Sequence, residues 1–219
     1  MELKLKFICA IEPNPILAGK LDQVLGSLGI EYYINQSLFN EEFSFDDEHS
    51  ENFDLILFSH CLYGFQDPCE SVLHSVNFLK PDGKIFIIHS ADNIFTSLHG
   101  YIASRSDPDI YSLIKCIVNE TLTGEDILAH FEEECPDLST SVMAYVVYKN
   151  VDDFVRRTGA PGCNDTVSYF LQVEYERLSE GTKEHIYREV ADSCVVRDGK
   201  YCLTWLNFGI VVSKCQGLL

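Results

Sequence analysis

Glu12 closes an apolar run, Leu5 to Ile11, and is followed at once by Pro13, Asn14 and Pro15. An acid set where a buried strand gives way to a helix has one specific use. In doubly wound nucleotide folds a carboxylate there accepts hydrogen bonds from ribose hydroxyls, its two oxygens matching two neighbouring donors. The same acid also suits the positive end of a helix with no ligand involved. Two further polar places follow apolar runs: Ser59-His60 after Phe53 to Ser59, and Ser90-Ala91-Asp92 after Lys84 to His89. Histidine titrates nearest neutrality, so His60 and His99 could take a proton or hold a donor. Each could equally be a satisfied structural histidine. The nine cysteines contain no CxxC pair, so a tetrahedral zinc site has no spacing to support it.

The elements that position these residues are legible around the stretch Asn52 to Ser90. Phe53 to Ser59 is continuously apolar apart from Asp54, the pattern of a strand buried on both faces. Asp67 can cap a helix whose first turn tolerates Pro68. Val72, Val76 and Leu79 fall at near-helical spacing, with Leu73 beside them. Lys80-Pro81-Asp82-Gly83 is a turn that stops the helix, proline presetting φ and glycine supplying positive φ. Lys84 to His89 is a second buried strand. Two strands joined by a helix form a βαβ unit and imply a parallel sheet. Ligands of such sheets sit beyond the carboxyl ends of the strands, where Ser59, His60 and Ser90 fall.

Leu5 to Ile11 reads as the first strand. Ile16 to Leu28 reads as a helix with one apolar stripe, Ile16/Leu17, Leu21, Val24/Leu25 and Leu28, stopped by Gly29. Ile30 to Ile34 is a short strand, and 40–52 an acidic loop. Two helices broken near Asp107-Pro108 are expected over 93–118. Thr123-Gly124-Glu125-Asp126 opens a helix over Ile127 to Glu134, and Val142 to Lys149 is a strand. Short helices are expected over Val151 to Arg156, Thr166 to Leu178 and Thr182 to Asp192. Asp198-Gly199 is a hairpin turn that pairs Val195-Val196 with a last strand, Lys200 to Ser213. The 219 residues fit one α/β domain, with 93–193 carrying helical inserts able to form a lid over a small-molecule pocket.

The formal charge is −18, from 34 acids against 16 bases. Such a chain repels phosphate backbones, so nucleic acid is an unsuitable partner, whereas a small cation such as an amine is attracted. Solubility alone also explains the charge. No apolar run reaches the ~18 residues of a membrane span, and the N-terminus lacks the layout of a secretory signal. Scattered cysteines, some in apolar runs, fit a reducing, cytoplasmic setting. A monomer without nucleic-acid or membrane partners is expected.

IEPNP, FDLILFSHCLYGFQD and LKPDGKIFIIHS together resemble the second, fourth-strand and fifth-strand motifs of class I S-adenosylmethionine-dependent methyltransferases. SADNIFTSLHGYIASR, TGEDILAHFEEE and KYCLTWLNFGIVVSK are similar in placement to the histamine N-methyltransferase group. The resemblance spans about Phe7 to Ser213. It implies a Rossmann-like doubly wound sheet, mostly parallel with a late antiparallel strand, S-adenosylmethionine as cofactor, and N-methylation of a small amine or imidazole compound. It makes Glu12 the ribose ligand, places Ser59 and His60 along the adenine and methionine side, and offers Ser37 as a looser adenine-side contact. Tyr63, Phe95, His99 and Phe170 match positions that wall the amine pocket, where aromatic faces attract a cation. Core packing would equally explain Phe95 and Phe170.

Two departures from the family pattern are visible. The family carries a strand and a glycine-rich turn before its second motif, whereas this chain opens on IEPNP, so its first strand is expected to be missing and the domain truncated. Trp205 falls where the histamine enzymes carry a substrate-contacting asparagine, and an apolar ring cannot fill both polar roles of an amide. A catalytically impaired homologue, acting as a binding or interaction domain, is therefore the alternative reading.

Overall fold

In the computed structural model the described residues are 5–40, 42–45, 53–92, 98, 100–102, 104, 122–171, 173 and 175–215. Of the helices expected over 93–118, residues 98, 100–102 and 104 are described and helical; the rest of them, and most of the acidic stretch 40–52, lie outside the described residues. The chain divides into two compact units, Met1–Glu51 and Asn52–Leu219.

The first unit is a parallel pair with one helix. Strand β1 (Phe7–Ile11) pairs with β2 (Glu31–Asn35) in register from Phe7↔Glu31 to Ile11↔Asn35. Helix α1 (Pro15–Ser27) joins them. Asn14 caps it, its Oδ1 accepting the N–H groups of Ile16 at 2.9 Å and Leu17 at 3.3 Å. Gly29, at φ 65°, turns the chain into β2. The apolar stripe expected to be buried along α1 is not: only Ala18 and Leu25 are buried, while Ile16, Leu17, Val24 and Leu28 are exposed. Two strands offer too little surface to cover a whole helical face.

The second unit is built on a five-stranded sheet of order β3–β4–β7–β5, with β6 also paired to β7. The strands are β3 (Phe53–Ser59), β4 (Leu79–Asp92), β5 (Leu138–Asn150), β6 (Cys194–Arg197) and β7 (Lys200–Lys214). β3 and β4 are parallel; β7 is antiparallel to β4, β5 and β6. Four strands therefore run one way and β7 alone the other. This is the α/β, Rossmann-like pattern with one late reversed strand. Asp198 (φ 51°) and Gly199 (φ 74°) make the two-residue turn between β6 and β7, both in the left-handed region that such hairpins require.

One face of this sheet is the core. Ile85, Ile87 and His89 alternate along β4, and Ile210 and Val212 stand opposite on β7; all five are fully buried. Helix α2 (Pro68–Ser75) and helix α3 (Gly124–Glu134) supply Val72, Ile127 and Phe131, also fully buried. Each such side chain contributes about 1.5–3 kcal/mol by leaving water. The expectation that β3 is buried on both faces is not met. It is an edge strand of its sheet, and Leu55 and Leu57, on the face away from α2 and α3, are 49% and 55% exposed.

The turn expected at 80–83 is absorbed into β4. Phe53 pairs with Leu79 and Leu55 with Lys84, so Lys80 to Gly83 sit in a register shift. Gly83 is required there, because a Cβ would lie 2.6 Å from the Phe53 carbonyl oxygen.

A helical insertion follows β5: α4 (Asp152–Val155), α5 (Asp165–Leu171), a 3-10 turn (Tyr175–Arg177) and α6 (Glu180–Asp192). The continuous helix expected over Thr166 to Leu178 ends at Leu171. The insertion has its own apolar core, including Phe154, Leu171, Ile186 and Val190. No described helix is long and apolar enough to cross a membrane.

Candidate functional site

In the first unit the two predicted residues follow the carboxyl ends of neighbouring strands. Glu12 comes directly after β1, its N–H donating to the Asn35 carbonyl at 3.0 Å. Its half-buried carboxylate accepts the N–H of Asn14 at 2.8 Å through one oxygen, Oε1. The side chain is thus oriented by the backbone of the turn into α1. Ser37 lies two residues past β2, and its hydroxyl is buried without a hydrogen-bond partner among the described residues.

In the second unit β3 ends at Ser59, paired to Ile88, while β4 runs on beside β7 to Asp92. The His60 N–H continues the ladder to the Ile88 carbonyl at 2.9 Å, but His60 itself adopts φ 50°. That left-handed step ends the strand and turns the chain away from the sheet. Ser59 and His60 are both exposed. The protein atoms around the His60 ring nonetheless push its pKa below the ordinary imidazole value.

Tyr63 follows in a 3-10 turn, Leu62–Gly64. Its ring stacks on His89 with centroids 4.1 Å apart and planes 30° from parallel. Its hydroxyl accepts the Ser90 N–H at 3.3 Å. Ser90 in turn donates its hydroxyl to the Oδ1 of Asn207 at 3.2 Å, across the β4–β7 ladder. Ser90 and Asn207 are buried, and His89 is fully so.

His89 has a defined tautomer. Its Nε2 lies 3.0 Å from the Leu122 carbonyl, which can only accept, so Nε2 carries the proton. Nδ1 is then a bare acceptor, buried and without a partner among the described residues. Burial drives the pKa down to about 4, against a smaller upward pull from the Leu122 bond. The ring is neutral at pH 7.

Phe95 and His99 lie outside the described residues, and so does the side chain of Phe170, whose backbone belongs to α5. Trp205 is half-buried on β7 opposite Val147 and packs against the apolar core of the insertion. Sequence reasoning missed His89 and Asn207. The available signal was His89 directly after the apolar run Ile85 to Ile88, and Asn207 between Leu206 and Phe208. Among the described residues no group of His, Cys, Asp and Glu could hold a metal ion.

A cavity of about 270 Å³ lies within the insertion, walled by Phe154, Tyr175 and Tyr187. It falls below the usual size of ligand pockets. Its Arg157 is already engaged, 3.6 Å over the Tyr187 ring and 2.6 Å from Glu184. None of the predicted site residues whose side chains are described lines it.

No family model matches the chain, and no curated protein matches it. Solved structures do. A protein from Bacillus halodurans C-125 provisionally assigned as a methyltransferase shares 14% identity over 94% of this chain and 82% of its own, with a TM-score of 0.52. One from Galdieria sulphuraria, provisionally assigned as a sarcosine dimethylglycine methyltransferase, shares 16% identity over 94% of this chain and 69% of its own, with a TM-score of 0.50. The plantazolicin methyltransferase BpumL, solved with SAH, shares 14% identity over 94% and 66%, with a TM-score of 0.45. The fold of this chain is the Rossmann-like α/β fold of the first two proteins.

Proposed function

We propose that this chain is an S-adenosylmethionine-dependent methyltransferase that methylates a nitrogen of a small amine or imidazole compound. The observation that carries the reading is the set of polar groups at strand carboxyl ends, where open α/β sheets bind ligands. Glu12 and Ser37 follow strand ends in the first unit; in the second, Ser59 and His60 close β3, and His89 and Ser90 lie in the last four residues of β4. The fold likeness to the two proteins described as methyltransferases supports it. Within this reading the chain is one methyltransferase-like domain of the histamine N-methyltransferase-like group, working in the cytoplasm as a monomer.

Bound S-adenosylmethionine supplies a methyl group on a sulfonium sulfur. Glu12 receives the ribose hydroxyls through the carboxylate oxygen that the Asn14 N–H leaves free. Ser37 serves the adenine side, and Ser59 and His60 line the adenine and methionine side. Tyr63, Phe95, His99, Phe170 and Trp205 bound the amine pocket. The substrate nitrogen's lone pair forms the new N–C bond as the C–S bond breaks, and sulfur keeps the bonding pair. Positioning contributes most of the rate in such a transfer. The proton lost from nitrogen passes to water or to a neighbouring neutral histidine.

The alternative, a binding module that does not transfer methyl groups, is favoured by exposed Leu55 and Leu57, because an apolar face open to solvent suits a protein contact. Incubation with methyl-tritiated S-adenosylmethionine and a panel of small amines separates the two. Label transferred to an amine supports the methyltransferase. Label transferred to none, from protein that binds the cofactor, supports the module.

A further inference from the structure

We infer that His89 is a substrate-recognition residue whose bare Nδ1 accepts a hydrogen bond from an N–H of the amine or imidazole compound. The inference rests on the methyltransferase reading and adds a residue to which the family resemblance gives no role.

A fully buried imidazole whose second ring nitrogen has no partner among the described residues is costly, because water is lost from that nitrogen. Burying an Ile at this point of β4 would continue the series of Ile85 and Ile87 without that cost. The tautomer is fixed from behind by the Leu122 carbonyl, so the bare atom is always Nδ1. A ring held this way presents a neutral acceptor. It favours ligands that bring a donor and disfavours carboxylates, which bring a second acceptor.

The position fits as well. His89 immediately precedes Ser90 near the carboxyl end of β4. Its ring is covered by Tyr63, a half-buried side chain on a short turn. Among the described residues, the stacking and one long hydrogen bond from the Ser90 N–H hold that cover.

Nitrogen-resolved NMR of the full chain, with histidine ring nitrogens labelled and His89 assigned through His89→Phe, tests this. The probes are histamine and imidazole, with acetate as the anion control, each added alone and with S-adenosylhomocysteine. The expected result is a free-protein Nδ1 resonance of a bare nitrogen that moves toward a hydrogen-bonded position with either amine and not with acetate. His89→Phe should weaken amine binding about tenfold while the thermal shift produced by S-adenosylhomocysteine is unchanged. An Nδ1 unmoved by both amines, or already hydrogen-bonded to a resident water in the free protein, overturns the inference. Absence of any thermal shift with S-adenosylhomocysteine overturns the methyltransferase reading instead; an Nδ1 response to amine alone would survive it.

Discussion

The ring of Tyr63 lies on the ring of His89, centroids 4.1 Å apart, and the Tyr63 hydroxyl accepts the N–H of the next residue, Ser90. One aromatic side chain thus closes over the carboxyl end of β4. The buried imidazole beneath it has a consequence for stability against pH. Its folded pKa, about 4, is below the ordinary imidazole value of 6.5. The unfolded chain therefore binds more protons between those values, and stability falls as pH drops through that window. The full effect is at most about 3 kcal/mol, from 1.36 kcal/mol per pKa unit. Urea unfolding at pH 7, 6, 5 and 4 should show this decline for the natural protein and a shallower one for His89→Leu. Parallel slopes would mean that His89 is protonated in the folded state.

The start of α3 is set by a reciprocal pair. The Thr123 hydroxyl accepts the Asp126 N–H at 3.1 Å, and the Asp126 carboxylate accepts the Thr123 N–H at 2.9 Å. The hydroxyl also donates to that carboxylate, and these bonds hold the Asp126 pKa below its ordinary value. Thr123→Ala should cost about 1 kcal/mol, the usual worth of an N-cap, read as a lower urea midpoint at unchanged slope. The same cap anchors Leu122, whose carbonyl fixes the His89 tautomer, so the variant should also broaden the His89 ring resonances.

Gly83 marks the register shift between β3 and β4. An added methyl would stand 2.6 Å from the Phe53 carbonyl oxygen and 3.1 Å from that of Lys80. Backbone atoms cannot yield as a flexible side chain does, so Gly83→Ala should destabilise by about 1–3 kcal/mol. Hydrogen exchange should quicken at Phe53 and Leu55 first. Unchanged stability would show that the shift is not held by this contact.

Much of this arrangement is legible in the residues alone, where the controlling interaction is local. Asp67 with Pro68, Thr123 with Asp126, and Asp198-Gly199 each announce their cap or turn, because the partners lie within three residues. The α5 boundary is different. Ser168 accepts the Tyr175 N–H on its hydroxyl at 3.2 Å and the Val173 N–H on its carbonyl at 3.2 Å, turning the chain where apolar spacing continues a helix. Leu55 and Leu57 look like a doubly buried strand because a run of apolar residues does not say what lies over each face. His89 and Asn207 read as interruptions of strands; their roles come from Leu122 and Ser90, 33 and 117 residues away. The place of Glu12 in the chain is legible too, since a strand end followed by Pro13-Asn14-Pro15 fixes where its side chain starts.

Binding of S-adenosylmethionine to the full chain by calorimetry tests the central claim most directly. The natural protein should give saturable heat below about 1 mM. Glu12→Gln, which keeps an oxygen for the Asn14 N–H but loses the charge, should bind about tenfold or more weakly, as expected for losing charge-assisted hydrogen bonds to two hydroxyls. No heat from the natural protein at millimolar cofactor, or equal affinity in Glu12→Gln, would contradict it.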